Sequence, residues 1–183
     1  MTTFYLVRHA HAVWTPEENR SLSAQGRQSA DGVAEFLAGY PIAAIYSSPF
    51  QRAIQTINPL ADCLKLPVLI EPDLRERELG NCLPEGFFEA VEKTWLCPSF
   101  AYPQGESNDA AQARGVAVLR RLHQQRAMEH IVLSTHGNLL ALILKGYFPS
   151  INYTFWKALT MPDIYALHLG QDGRAKMNRL WKL

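Results

Sequence analysis

A chain of 183 residues, 48% of them hydrophobic, is long enough to bury a full core and reads as a single domain over 1–183. Its formal net charge of +1 gives no reason to expect nucleic acid or an anionic membrane surface as a partner. Cys63, Cys82 and Cys97 lack CxxC spacing, no apolar run reaches the roughly 18 residues of a membrane helix, and the N-terminus lacks the marks of a signal peptide, so a reduced, cytoplasmic protein is expected.

The chain opens on an apolar, β-branched and aromatic run, Phe4 to Val7, which has the composition of a buried strand and stops at Arg8-His9. Ligands of open α/β folds bind where strands end, which gives this pair its interest. Arg8 offers a planar charged fork for phosphate or carboxylate, and His9 can be a nucleophile, a base or a metal ligand. A polar loop, 11–22, carries Asn19 and Arg20. Ser23 then caps a helix with Ala30, Val33, Ala34 and Leu37 on one face, ending at Gly39-Tyr40-Pro41.

A second strand, Ile42–Tyr46, runs into Ser48, which has the pattern of an N-cap, with Pro49 at the first helical position and Gln51 closing a capping box. Arg52 therefore falls in the first turn of a helix, where free N–H groups and the dipole already favour anions. Phe50, Ala53, Ile54, Ile57, Ala61 and Leu64 form its buried face, and Pro59 is expected to kink it.

Pro67–Ile70 reads as a third strand, followed by a charge run, Glu71–Gly80, whose ordinary reading is a solvated turn. The stretch 81–105 is an irregular insertion with a short helix expected around Phe87–Trp95. For its aromatics two readings stay open, a substrate cleft and local packing. Ser107 caps a long helix to about Arg126, with Ala113, Val116, Ala117 and Leu122 inward. Ile131–Leu133 is a strand that leads directly into Ser134-Thr135-His136-Gly137, and Leu139–Leu144 is apolar on nearly every face, as a central helix must be. Asp163–Leu169 alternates as an edge strand does, and Lys176–Leu183 resembles a last one.

Alternation of strand and helix implies a three-layer α/β/α sandwich with a largely parallel central sheet. Parallel strands end along one edge, so Arg8, His9, Arg52 and His136 can converge there. Two arginines and two histidines around one point make an anion pocket suited to a phosphoryl group. His9-x-His11 with His136 could instead hold a metal, but the guanidinium of Arg8 would repel a cation. A cysteine phosphatase is excluded, because none of the three cysteines is followed by arginine at the required spacing.

LVRHA at Leu6–Ala10, SSPFQRAIQT at Ser47–Thr56, LRERELG at Leu74–Gly80, PQGES at Pro103–Ser107 and STHG at Ser134–Gly137 resemble, in order, the signature blocks of the histidine phosphatase superfamily. This resemblance implies a phosphoglycerate mutase-like fold with His9 as the phosphorylated nucleophile. It also implies that Arg8, Arg52 and His136 clasp the phosphate and that Glu76 is the general acid, Glu78 lying two places beyond the motif. Two departures stand out. Ala10 replaces the family's glycine, and the first loop lacks the R-x-Q-G stretch of the mutases, leaving Asn19 and Arg20 as candidates for completing the phosphate pocket.

The chemistry so implied needs no metal and no cofactor. His9 must be neutral to attack, which burial beside two guanidiniums favours, and Glu76 must give a proton and then take one from water. Between Asn81 and Gly105 the sole base is Lys93, which points to hydrolysis of a small organic phosphate. The alternatives are a phosphoglycerate mutase-type phosphotransferase, a phosphoprotein (phosphohistidine) phosphatase and a non-catalytic protein that binds phosphorylated ligands.

Overall fold

The first strand dictates the layering. In the computed structural model, which describes residues 1–13, 15, 19–81 and 86–181, β1 (Thr2–Arg8) sends Phe4 and Leu6 into one apolar cluster and Tyr5 and Val7 into another. β4 (His130–Thr135) pairs with it in parallel and repeats the division, Ile131 and Leu133 on one side and Val132 on the other. Strands dry on both faces need helices on both faces. α1 (Ala24–Leu37) and α2 (Gln51–Leu64) cover one through Val33, Leu37, Ile57 and Leu60. α4 (Asn108–Gln125) and α5 (Gly137–Lys145) cover the other through Leu119, Leu122, Leu139 and Ile143.

With β2 (Ile42–Ser47), β3 (Val68–Ile70), β5 (Asp163–Leu169) and β6 (Ala175–Arg179), the sheet runs in the order β3-β2-β4-β1-β5-β6. The first four strands are parallel, β5 is antiparallel to β1, and β6 is antiparallel to β5. β5 is therefore an interior strand rather than the expected edge, and its alternation records two partly different cores instead of a core and solvent. The last strand stops at Arg179, short of the expected range, of which Lys182 and Leu183 lie outside the described residues.

Two further local expectations are corrected. In α4 it is Ala111, Gly115, Val118, Leu119 and Leu122 that turn inward with Val116, while Ala113 and Ala117 face solvent. A methyl marks a face weakly, and the α4–α5 contact is set instead by Gly115, where an added Cβ would lie 2.6 Å from Cγ1 of Ile143. α2 keeps Pro59 inside its span of Gln51–Leu64. Finally, the charge run is no solvated turn, since Leu74 is fully buried and Arg77 is 5% exposed. Arg114 of α4 folds it inward, donating to the carbonyls of Asp73, Arg75 and Glu76 while forking onto Glu106 at 2.7 and 2.8 Å.

Candidate active site

The register of β1, β2 and β4 aligns Arg8 with Thr135 and Ser47 with Ser134, so the three strand ends meet along one edge. A cavity of about 500 Å³ opens there. Its polar end is lined by Arg8, His9, Arg20, Arg52, Glu76 and Arg77. Phe87, Phe88, Val91, Trp156, Leu159 and Met161 form an apolar wall.

His9 is 8% exposed, and its Nδ1 donates to the Ala10 carbonyl at 2.7 Å. A carbonyl can only accept, so the proton sits on Nδ1 and the lone pair on Nε2. Burial above all, with Arg52, Arg8 and Arg20 nearby, lowers the His9 pKa to about 3 against the opposing pull of the Ala10 carbonyl. The ring is thus neutral, with a free nitrogen. Its loop is tied down from several sides: the His9 N–H donates to the Thr135 carbonyl, and the Ala10 N–H to the Thr56 hydroxyl, which donates to the Arg52 carbonyl. Gly26 lets α1 press against the same loop, since a Cβ there would stand 2.0 Å from the His11 carbonyl oxygen.

Arg8 donates through Nη1 to the carbonyls of Leu159 and Thr160 at 2.8 and 3.2 Å. Its guanidinium lies against Gly137, where an added Cβ would be 2.9 Å from Nε, which accounts for the glycine of the STHG block. Arg52, 5% exposed in the first turn of α2, stacks its guanidinium 4.7 Å above the Phe50 ring.

Ser48 departs from its expected role. α2 begins at Gln51 with Phe50 in the N-cap place, and the Ser48 Oγ lies 2.7 Å from His136 Nε2. A buried imidazole has few partners to choose from, and the Ser48 hydroxyl goes to it, while its oxygen also accepts the Phe50 N–H at 3.3 Å ahead of the helix. The cap comes instead from across the loop, where Asn19 Oδ1 accepts the Gln51 N–H at 2.9 Å. This separates the two candidates of the first loop: Arg20 lines the cavity, and Asn19 holds the helix that carries Arg52. His136 is wholly buried, edge-on to His9 with ring centres 5.1 Å apart, so it backs the nucleophile instead of facing the cavity.

Glu76 lines the cavity and accepts three backbone N–H groups. Oε1 takes those of Arg77 and Leu139 at 2.8 and 2.9 Å, and Oε2 takes that of Asn138 at 3.0 Å. The carboxylate is thereby fixed at the start of α5, with acceptor capacity left on Oε2. Glu78 faces solvent. Among the described residues no three His, Cys, Asp or Glu side chains gather in a set able to hold a metal ion, so His9, His11 and His136 do not form one.

The insertion splits between its two readings. α3 (Phe87–Leu96) brings Phe87 and Phe88 to the cavity wall, whereas Trp95 is anchored inside by an indole N–H bond to Asn138 Oδ1 at 3.0 Å. Cys82–Glu85 lie outside the described residues. Sequence reasoning missed Ser48 as the partner of His136, the buried Arg77, and the wall contributed by Trp156, Leu159 and Met161. For Arg77 a signal existed, since it stands inside the LRERELG block beside Glu76.

Burial also shifts His136 well below its ordinary pKa. Both histidines are then neutral in the folded chain but take a proton near pH 6.5 once it unfolds. Below that pH the unfolded chain binds more protons, so stability should fall on acidification, by about 1.4 kcal/mol per pH unit for each histidine. For His9 the loss should continue down to about pH 3. Urea unfolding between pH 7 and pH 5 measures this, and a midpoint indifferent to pH across that range would contradict neutral burial.

The family model described as histidine phosphatase superfamily (branch 1) matches residues 4–181 of this chain. Phosphoglycerate mutase-like protein 4 of Arabidopsis thaliana is 32% identical over 162 residues, covering 79% of this chain and 70% of its own. The uncharacterized phosphatase PhoE of Bacillus subtilis is 26% identical over 150 residues, 79% of this chain and 76% of its own. A phosphoserine phosphatase of Entamoeba histolytica, 22% identical, shares the fold with a TM-score of 0.80 over 97% of this chain and 95% of its own.

Proposed function

Because this chain belongs to the histidine phosphatase superfamily, we propose that it hydrolyses small organic phosphomonoesters through a phosphohistidine at His9, without a metal ion. The observation that carries this reading is the state of His9: a neutral ring, protonated on Nδ1 and free on Nε2, at the wall of a cavity shared with Arg8, Arg20, Arg52 and Glu76.

Nε2 attacks phosphorus as the ester P–O bond breaks. The departing alkoxide takes a proton from Glu76 Oε2, and the ring becomes a phosphoimidazolium whose Nδ1–H is held by the Ala10 carbonyl. Arg8, Arg20 and Arg52 offset the charge on the equatorial oxygens. In the second half Glu76, now a carboxylate, draws a proton from water. The water oxygen bonds to phosphorus, and the N–P bond returns its electron pair to Nε2. His136 positions His9 from behind, itself held by Ser48. The partner in this reading is a small phosphorylated molecule. A cytoplasmic setting suits the exposed free thiols of Cys63 and Cys97, and no helix among the described residues is long and apolar enough to cross a membrane.

Hydrolysis of 4-nitrophenyl phosphate should proceed, and should be unchanged by excess chelator. Activity abolished by chelator and restored by zinc would overturn the reading in favour of a metal hydrolase.

A further inference from the structure

Arg8 and Asp163 stand opposite each other in the antiparallel pairing of β1 with β5. Opposed residues of such a pair point to the same side of the sheet, with Cβ atoms about 4.5–5.5 Å apart. A fully buried carboxylate beside a guanidinium ordinarily claims it. Here it does not. Arg8 gives its Nη1 to the neutral carbonyls of Leu159 and Thr160, and among the described residues it bonds to no carboxylate.

Asp163 is held instead by Arg179, the last residue of β6, which is not among the residues lining the cavity. The Arg179 guanidinium forks onto the carboxylate, Nε to Oδ1 at 3.0 Å and Nη2 to Oδ2 at 2.9 Å, and Nη2 also donates to the Thr160 hydroxyl at 3.0 Å. The same carboxylate accepts the N–H groups of Thr160 and Ile164 at 2.9 and 3.0 Å. One turn of chain thus offers its carbonyls to Arg8 and its N–H and hydroxyl to the Asp163–Arg179 pair.

The consequence is electrostatic. A guanidinium that forks a carboxylate has committed its charge and its donors, whereas one oriented by carbonyls keeps its charge for an anion. Without Arg179, Asp163 would be an unpaired buried charge, which is costly, and its cross-strand neighbour Arg8 is a cation that could relieve it.

We infer that Arg179 is a positioning residue for the phosphate site: by pairing with Asp163 it leaves the guanidinium of Arg8 free to hold the phosphoryl group. This rests on the phosphatase reading for Arg8 as a ligand of that group.

Calorimetric titration of the full chain with inorganic phosphate, beside the rate of 4-nitrophenyl phosphate hydrolysis, tests the inference. Arg179→Met should weaken phosphate binding at least about 10-fold, the scale of one charged hydrogen bond. Adding Asp163→Asn should recover most of that loss, because an amide does not compete for Arg8. A role confined to folding predicts the opposite, since a second substitution in the same buried network adds to the damage. Should Arg179→Met fail to fold, Arg179→Gln, which keeps a donor for Asp163 but no charge, should show the same loss and the same recovery. Unchanged phosphate affinity in the Arg179 variant overturns the inference, and so does a loss that Asp163→Asn leaves in place or deepens. A wild type that follows the expected pattern but hydrolyses no phosphomonoester would sink the phosphatase reading and leave the positioning role standing, whereas a wild type that binds no phosphate overturns both.

Discussion

Glu76→Gln should lower turnover of an alkyl phosphate by about 10²-fold or more, the usual scale for general acid catalysis. An ester whose phenol leaves easily should lose much less, because its oxygen needs no proton. The substitution also has a structural cost that follows from the hydrogen bonds. A carboxylate accepts from Arg77, Asn138 and Leu139 together, whereas an amide must turn its NH₂ toward one of those N–H groups. One backbone donor at the start of α5 then loses its partner, for about 1–3 kcal/mol of stability. Rates must therefore be compared well below the melting temperature of the variant. Glu78→Gln, at an exposed carboxylate, should change neither quantity. Equal and small effects from both substitutions, with no dependence on the leaving group, would show that Glu76 only caps a helix.

What was legible in the sequence is what depends on periodicity and on strand ends. Phe4 and Leu6 against Tyr5 and Val7 announce a strand buried on both faces, and the layers follow. Arg8, His9, Arg52 and His136 meet because each stands at the end or just beyond the end of a parallel strand, which is a property of topology more than of side-chain detail. Three kinds of residue escaped. Ser48 satisfies a local capping pattern, but its hydroxyl is claimed by His136, 88 positions away, and Asn19 supplies the cap from another loop. Local rules cannot weigh a tertiary partner against a local one. Arg77 sits in a charge run, and such runs are ordinarily solvated; this one is drawn inward by Arg114, whose reach across 38 to 41 positions leaves no trace in the pattern. The wall formed by Trp156, Leu159 and Met161 comes from α6 (Tyr153–Lys157) and the loop after it, where no motif marks the residues.

The geometry of His9 leads to the largest effect. His9→Ala removes the attacking nitrogen while leaving Arg8, Arg20 and Arg52 in place, so substrate should still bind and turnover should fall on the order of 10⁴-fold or more. The intermediate itself offers the most direct measurement. Wild-type protein mixed briefly with a ³²P-labelled phosphomonoester and quenched in alkali should retain label on the chain, because a phosphoramidate survives base and is lost in acid. An acyl phosphate on Glu76 would be lost in base, and a phosphoserine at Ser48 would survive acid. The account predicts base-stable, acid-labile label on His9 within the first turnover, absent from His9→Ala. Wild-type protein that turns over yet never carries such label, however early the quench, would contradict it, for water would then be the nucleophile and His9 a ligand of the phosphate alone.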